Sequence, residues 1–184
     1  MSVSFQGTKN GTADNLNLTY AVVYTGPTYE VNVTVLLNGA TTPLTVWIQP
    51  SGDIVAFYYN GKNYTGSAAV NDFLDYFSDL ENLQTFALQA STNTAGFHST
   101  GTSTATIGTN SFTVTNYVAN TLPETIQICN TETVVLSTYN VNLGTPKGSG
   151  MEIVTSASFA AMDTNSTGTT TSDYTYQVTA LTVA

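Results

Sequence analysis

The stretch LNLTYAVVYTGPTYEVNVTVLL, residues 16–37, decides the fold class. Before the turn signal TGPT, Leu16, Leu18, Tyr20, Val22 and Tyr24 fall on one side, against Asn17, Thr19 and Ala21. After it, Tyr29, Val31, Val33, Val35 and Leu37 oppose Glu30, Asn32 and Thr34. A strand turns successive side chains to opposite faces, so a period of two predicts half-buried antiparallel strands.

The pattern continues outward from that stretch. In VWIQPSGDIVAFYYNGKNYTG, residues 46–66, PSGD reads as a turn and Asn60–Gly61 as a hairpin, because both residues tolerate positive φ. Pairing across these turns puts Val46, Ile48, Val55, Phe57 and Tyr64 on a core face, with Trp47, Ala56, Tyr58 and Asn63 outward. A five-strand meander follows. The period then changes: Val70, Phe73, Leu74 and Phe77 recur at helical spacing, with Asp72, Asp75 and Asp79 off the stripe. Ser78 and Glu81 have capping-box spacing, which predicts a second helix through NLQTFALQA.

Residues 91–111, rich in Thr, Ser and Gly, read as a polar edge strand or a long loop. Strands resume with SFTVTNYV, ETIQIC, ETVVLSTYNVNL, MEIVTSASFAAM and DYTYQVTALTVA, with DTNSTGTTTS read as a flexible surface loop between the last two. The last segment is strand-like to its end, so it either adds to a neighbour's sheet edge or pairs within its own domain. The expectation is one β-rich domain over 1–184, mainly β with a helical insertion. Its centre is a large antiparallel meander sheet, a half-barrel or sandwich, with a helical hairpin near 67–90.

Charge narrows the function classes. Charged residues are 8% of the chain, against roughly 25% in ordinary domains. The three basic residues are Lys9, Lys62 and Lys147, and the formal charge is −9. Such a chain cannot neutralise a row of phosphates or an anionic lipid surface. Well below the carboxylate pKa of about 4 it would carry only about +4, from three Lys and His98, so acid would not drive it apart by self-repulsion. Polar surface from Thr, Ser, Asn, Gln and Tyr suits an acidic exterior, and acid stability is expected. No apolar run approaches the roughly 18 residues of a membrane span. The start, MSVSFQGTKNGTADN, lacks the basic and apolar regions of a signal peptide, so export is expected by removal of a leader or by release of a virion component.

Catalytic and metal motifs are sparse. Cys129 and His98 are the only Cys and His, too few for a blue-copper or a Cys/His zinc site, so no metal and no cofactor is expected. There is no G-x-S-x-G. MDTN, Met162–Asn165, has the shape of an acid-protease loop without its Gly. A carboxylate pair such as Asp53 and Glu124 leaves acid hydrolysis as a remote reading. Sequons at Asn10, Asn17, Asn32, Asn63 and Asn165 all fall on predicted outward faces or loops and are candidate glycosylation sites. Trp47 and Tyr58, with Tyr59 and Tyr64 nearby, would stack on sugars or on a protein if uncovered, or form core if a helix lies over them.

In its Thr-, Asn- and Tyr-rich, Arg-free composition the chain resembles surface proteins of acid- and heat-loving archaea and virion proteins of their viruses. The order of strand meander, helical hairpin and further strands is similar to half-barrel lipid carriers of the lipoprotein-carrier type, without their N-terminal helix. The first resemblance implies a non-enzymatic extracellular, cell-surface or virion protein with a structural, assembly or adhesive role, whose partners are copies of itself or other surface proteins. The second implies an apolar ligand held between a curved sheet and Phe73 and Phe77.

Overall fold

The computed structural model describes residues 1–13, 15–24, 29–37, 40–48, 54–66, 87–128, 132–150, 152–165 and 168–183. Among the described residues thirteen strands form a single open antiparallel sheet. In chain order they are β1 (Ser2–Lys9), β2 (Thr12–Ala13), β3 (Leu16–Tyr24), β4 (Tyr29–Leu37), β5 (Ala40–Ile48), β6 (Ile54–Tyr59) and β7 (Lys62–Thr65). The second half contributes β8 (Phe97–Ile107), β9 (Asn110–Ala119), β10 (Glu124–Ile128), β11 (Glu132–Gly144), β12 (Ile153–Asn165) and β13 (Gly168–Thr182). Across the sheet the order is β7-β6-β5-β4-β3-β1-β13-β12-β11-β9-β8. β10 lies beside β9 on the same edge of β11, and β2 pairs with the end of β1.

The alternation in residues 16–37 is realised as β3 and β4, paired from Leu16↔Leu37 to Tyr24↔Tyr29. The meander extends through β5, β6 and β7 as expected. Asn60 and Gly61 take φ of 53° and 79°, the paired positive values that match a two-residue turn to the twist of its strands. Asn10 and Gly11 repeat this geometry, at 52° and 75°, between β1 and β2.

One reading is corrected, and two that left alternatives open are resolved. The segment DYTYQVTALTVA is no free strand for a neighbour: β13 sits mid-sheet between β1 and β12, and so joins the two ends of the chain. DTNSTGTTTS is mostly strand rather than loop, since β12 runs to Asn165 and β13 begins at Gly168. Cross-strand hydroxyl contact, as between Thr164 and Thr169 at 3.1 Å, lets a Thr-rich hairpin pair without apolar alternation. Residues 97–107 resolve to an edge strand, not a loop. The expected helical hairpin near 67–90 falls largely on residues 67–86, outside the described residues; the described remainder forms a 3-10 turn at Leu88–Ser91. Asp53, Phe73, Phe77 and Cys129 are also outside the described residues.

Most of the core lies on one face of the sheet, with Ile107, Phe112, Val114 and Ile153 buried on the other. Tyr139, Phe159, Tyr174 and Lys9 stand directly opposite one another on β11, β12, β13 and β1. Phe97 extends this row, with ring centroids 4.5 Å from Tyr139, and the Tyr139–Phe159 and Phe159–Tyr174 pairs follow at 6.1 and 5.1 Å. Aromatic pairs at such separations add about 0.5–1.5 kcal/mol each beyond burial. Ala87 and Ala90 are buried against this face, and the Tyr139 hydroxyl donates to the Ala87 carbonyl at 3.2 Å. In the next row Tyr176 stands opposite Gly7, and its ring occupies the space a β-carbon there would need.

Candidate functional site

The aromatic residues predicted to bind are divided between the two faces. Phe57 is fully buried, with Tyr64 stacked on it at 4.4 Å between ring centroids. Tyr59 stands opposite Leu44 and packs against the core, so Tyr59 and Tyr64 serve the interior. Trp47 and Tyr58 lie on the other face, Trp47 half-buried and Tyr58 43% exposed. The sequons at Asn10, Asn32 and Asn63 are exposed. Asn32 accepts from Thr45 at 2.9 Å and donates to Glu30, while Asn10 accepts from the Asp173 amide at 2.8 Å. Asn17 lies on β3 and Asn165 ends β12.

His98, on β8, bonds Asn120 at 2.6 Å, and Asn120 in turn holds the Thr94 and Ala95 carbonyls; this is a loop clamp, with no nucleophile in it. Glu124 lies beside Gly96 and near Thr121. Asp163, within the acid-protease-like MDTN, stands opposite Val134 and Thr170, and one of its carboxylate oxygens is buried without a hydrogen-bond partner. No cluster of three or more His, Cys, Asp or Glu able to hold a metal occurs among the described residues.

Sequence reading missed the feature the sheet assembles on the face opposite the aromatic row. Asn116, Asn142, Ser156, Gln177 and Gln6 stand in direct register on β9, β11, β12, β13 and β1. Asn140, Ser158 and Thr175 form the adjacent row. Asn116 apart, the two rows line hollows of about 350 and 300 Å³ that share Ser156 and Gln177. Thr104 and Thr106 of β8 wall the larger one, and Asn110 ties this end to β13 by donating to the Leu181 carbonyl at 3.0 Å. No charged side chain lines either hollow.

A hydrogen-bond network fixes the floor. The Thr100 hydroxyl donates to Asn116 Oδ1. Asn116 Nδ2 donates to Asn140 Oδ1 at 2.7 Å and to Asn142 Oδ1 at 3.2 Å, and Asn142 Nδ2 donates to Ser156 Oγ at 2.8 Å. Three bulges frame it, where Thr100, Thr155 and Thr179 are the extra residues opposite β9, β11 and β1. Thr155 and Thr179 donate their hydroxyls to the carbonyls of Asn142 and Ser4, at 3.1 and 3.4 Å. A bulge bends its strand and re-aims side chains, which makes this part of the sheet concave.

The same region carries the sheet's open edge. β8 is eleven residues long, exposed from His98 to Thr104, and without Lys, Arg, Asp, Glu or Pro. Among the described residues no strand pairs with its outer side. The other edge, β7, is four residues long and carries Lys62 over the Tyr64 ring at 4.9 Å.

No protein-family model, curated protein or solved structure matches the chain.

Proposed function

We propose that this is a non-enzymatic structural or adhesive module that works on a surface outside the cell, on an envelope, a filament or a virion, and joins its partners by strand addition. The observation that carries this reading is the β8 edge. Natural sheets blunt their edges with short strands, lysine, proline or bulges, because an unpaired row of N–H and C=O groups is a template for another chain. β7 is blunted in this way, being short and carrying Lys62. β8 has one bulge, at Thr100, and then runs regularly from Gly101 to Ile107 with no charge to repel a partner. The favoured partner is the β8 edge of a second copy, set antiparallel about Thr102, because like uncharged edges meet without repulsion even in a chain of formal charge −9.

The acidic exterior habitat, the kinship with archaeal surface or virion proteins and the use of the sequons belong to the same reading. Exposed asparagines at 10, 32 and 63 and a sparsely charged surface support it. The apolar-ligand alternative rests on a helical hairpin over a half-barrel, of which residues 67–86 lie outside the described residues.

Sedimentation velocity over a concentration series tests the proposal. The wild-type chain should associate reversibly, and Thr102→Lys should abolish association without moving the thermal midpoint. A wild-type chain that stays monomeric up to about 1 mM would overturn it, since a contact weaker than that is worth under about 4 kcal/mol.

A further inference from the structure

We propose that the polar trough between β8 and β13 is a binding site for a neutral saccharide. Thr104 and Thr106 of β8 wall the site, but binding there does not require assembly through that strand. Four observations converge on it. Asn and Gln are depleted in strands, yet four of them stand in one register row, at 116, 142, 177 and 6, with Asn140 alongside. A solvent-facing sheet has no need of this band, because Thr and charged residues solvate it at lower cost to strand stability.

The second observation is rigidity. The Thr100–Asn116–Asn142–Ser156 chain of hydrogen bonds holds its carboxamides in fixed orientations. A ligand then meets groups that are already positioned, and less ordering entropy opposes binding. Third, the network leaves groups for a ligand. Asn140 gives only its oxygen to Asn116, which leaves its N–H₂ to donate; Gln177 gives only its N–H₂ to the Thr155 and Val178 carbonyls, which leaves its oxygen to accept. The hydroxyl of exposed Ser158 supplies both functions. A donor and an acceptor side by side match the vicinal hydroxyls of a sugar, each of which also gives and receives.

The fourth observation is shape and charge together. Bulges at Thr155 and Thr179 curve this face, and bulges recur where a site needs a side chain re-aimed. The larger hollow, about 350 Å³, is within the range of small-molecule sites. Such sites are usually apolar; here amides and hydroxyls make up much of the lining beside Ala105, Ile107, Val114 and Val178, which favours a hydrophilic ligand. With no cationic side chain in the lining, phosphate and carboxylate ligands have no counter-charge, and a chain of formal charge −9 repels them. Both hollows lack an exposed aromatic platform, so affinity should rest on hydrogen bonds alone and be near 1 mM.

The test is a titration of ¹⁵N-labelled protein with maltotriose, cellotriose and mannotriose, with sialyllactose as the charged comparison. At least one neutral trisaccharide should shift the side-chain amide signals of Asn116, Asn140, Asn142 and Gln177, and bind more tightly than sialyllactose. Gln177→Ala and Ser158→Ala, both at exposed positions, should weaken binding about five- to tenfold each; the thermal midpoint should be unchanged for Ser158→Ala and slightly lower for Gln177→Ala, which also loses its bonds to the Thr155 and Val178 carbonyls. Silence of those amides with every trisaccharide at about 10 mM would overturn the proposal, as would shifts confined to Trp47 and Tyr58, or binding that both variants leave intact.

Discussion

At the scale of single residues, the sheet depends on a few contacts that only one side chain satisfies. Gly7 is one. A β-carbon there would lie 2.3 Å from the Thr175 carbonyl oxygen and 2.5 Å from the Tyr176 ring. The first neighbour is backbone of the paired strand and cannot move without breaking the β1–β13 ladder. Gly7→Ala should therefore lower stability by about 1–3 kcal/mol, measured by denaturant unfolding, although alanine is the better strand residue in isolation. An unchanged midpoint would show that Tyr176 does not lie across β1. Tyr139 is another. Burial pushes its phenol well above the usual tyrosine range, so the folded state holds the neutral form after the unfolded chain has ionised. The stability this contributes is whole below about pH 10, the unfolded value, and is lost as pH rises beyond it, by about 1.4 kcal/mol per unit. Tyr139→Phe loses the bond to the Ala87 carbonyl, about 1 kcal/mol at pH 7, and escapes the alkaline loss. The variant should be the less stable protein at pH 7 and the more stable one at pH 11, and parallel stability curves across that range would contradict the assignment.

At the scale of elements, legibility followed whichever force ordered each strand. β3 to β7 could be read because a buried face imposes period two: Val46, Phe57 and Tyr64 line up on the core side, and Trp47 and Tyr58 on the other, as their parity requires. β8 could not be read outright, because its exposed middle, residues 99–104, holds only Ser, Thr and Gly and so carries no apolar alternation. The β12–β13 hairpin was mistaken for a loop for the same reason; its tip is paired by backbone and threonine hydroxyls. The trough was out of reach for a different reason. Asn116, Asn142 and Gln177 meet only through the strand order, and Gln6 joins them from the far end of the chain. The available signal was weak: Asn or Gln at polar positions of several separate strands. The edge asymmetry gives this scale its own prediction. Asn63→Lys, on the blunted β7, should leave association untouched, whereas Thr102→Lys on β8 removes it. Equal loss from both would mean that the copies meet through general surface charge and not through the open edge.

At the scale of the whole molecule, neutral groups occupy places that ions fill in other proteins. Cross-strand side-chain contacts on the outer faces join hydroxyls and amides, as at Thr8–Thr175, 2.7 Å, Asn116–Asn140 and Thr45–Asn32. Neither kind changes state between pH 2 and pH 8. Acid unfolding draws on two sources, the repulsion among uncompensated cations and the loss of carboxylates paired in the native state. The first is small here: with every acid neutral, three lysines and one histidine remain over 184 residues. The second has few groups to act through: of the twelve carboxylates in the chain, Glu30, Glu124 and Glu152 accept side-chain hydrogen bonds among the described residues. The chain should keep a cooperative thermal transition at pH 3, within a few degrees of its midpoint at pH 7. Near-ultraviolet circular dichroism is the appropriate probe, because the Phe97–Tyr139–Phe159–Tyr174 row reports packing and not merely strand content. The same logic makes association through β8 stronger in acid, since the formal charge of −9 that opposes two copies falls in magnitude while the stretch Gly101–Ile107 holds no ionisable side chain. A signal at pH 3 that retains strand content but loses the aromatic bands would mean that carboxylates support the core after all, and would remove the physical ground for placing this protein in an acidic exterior.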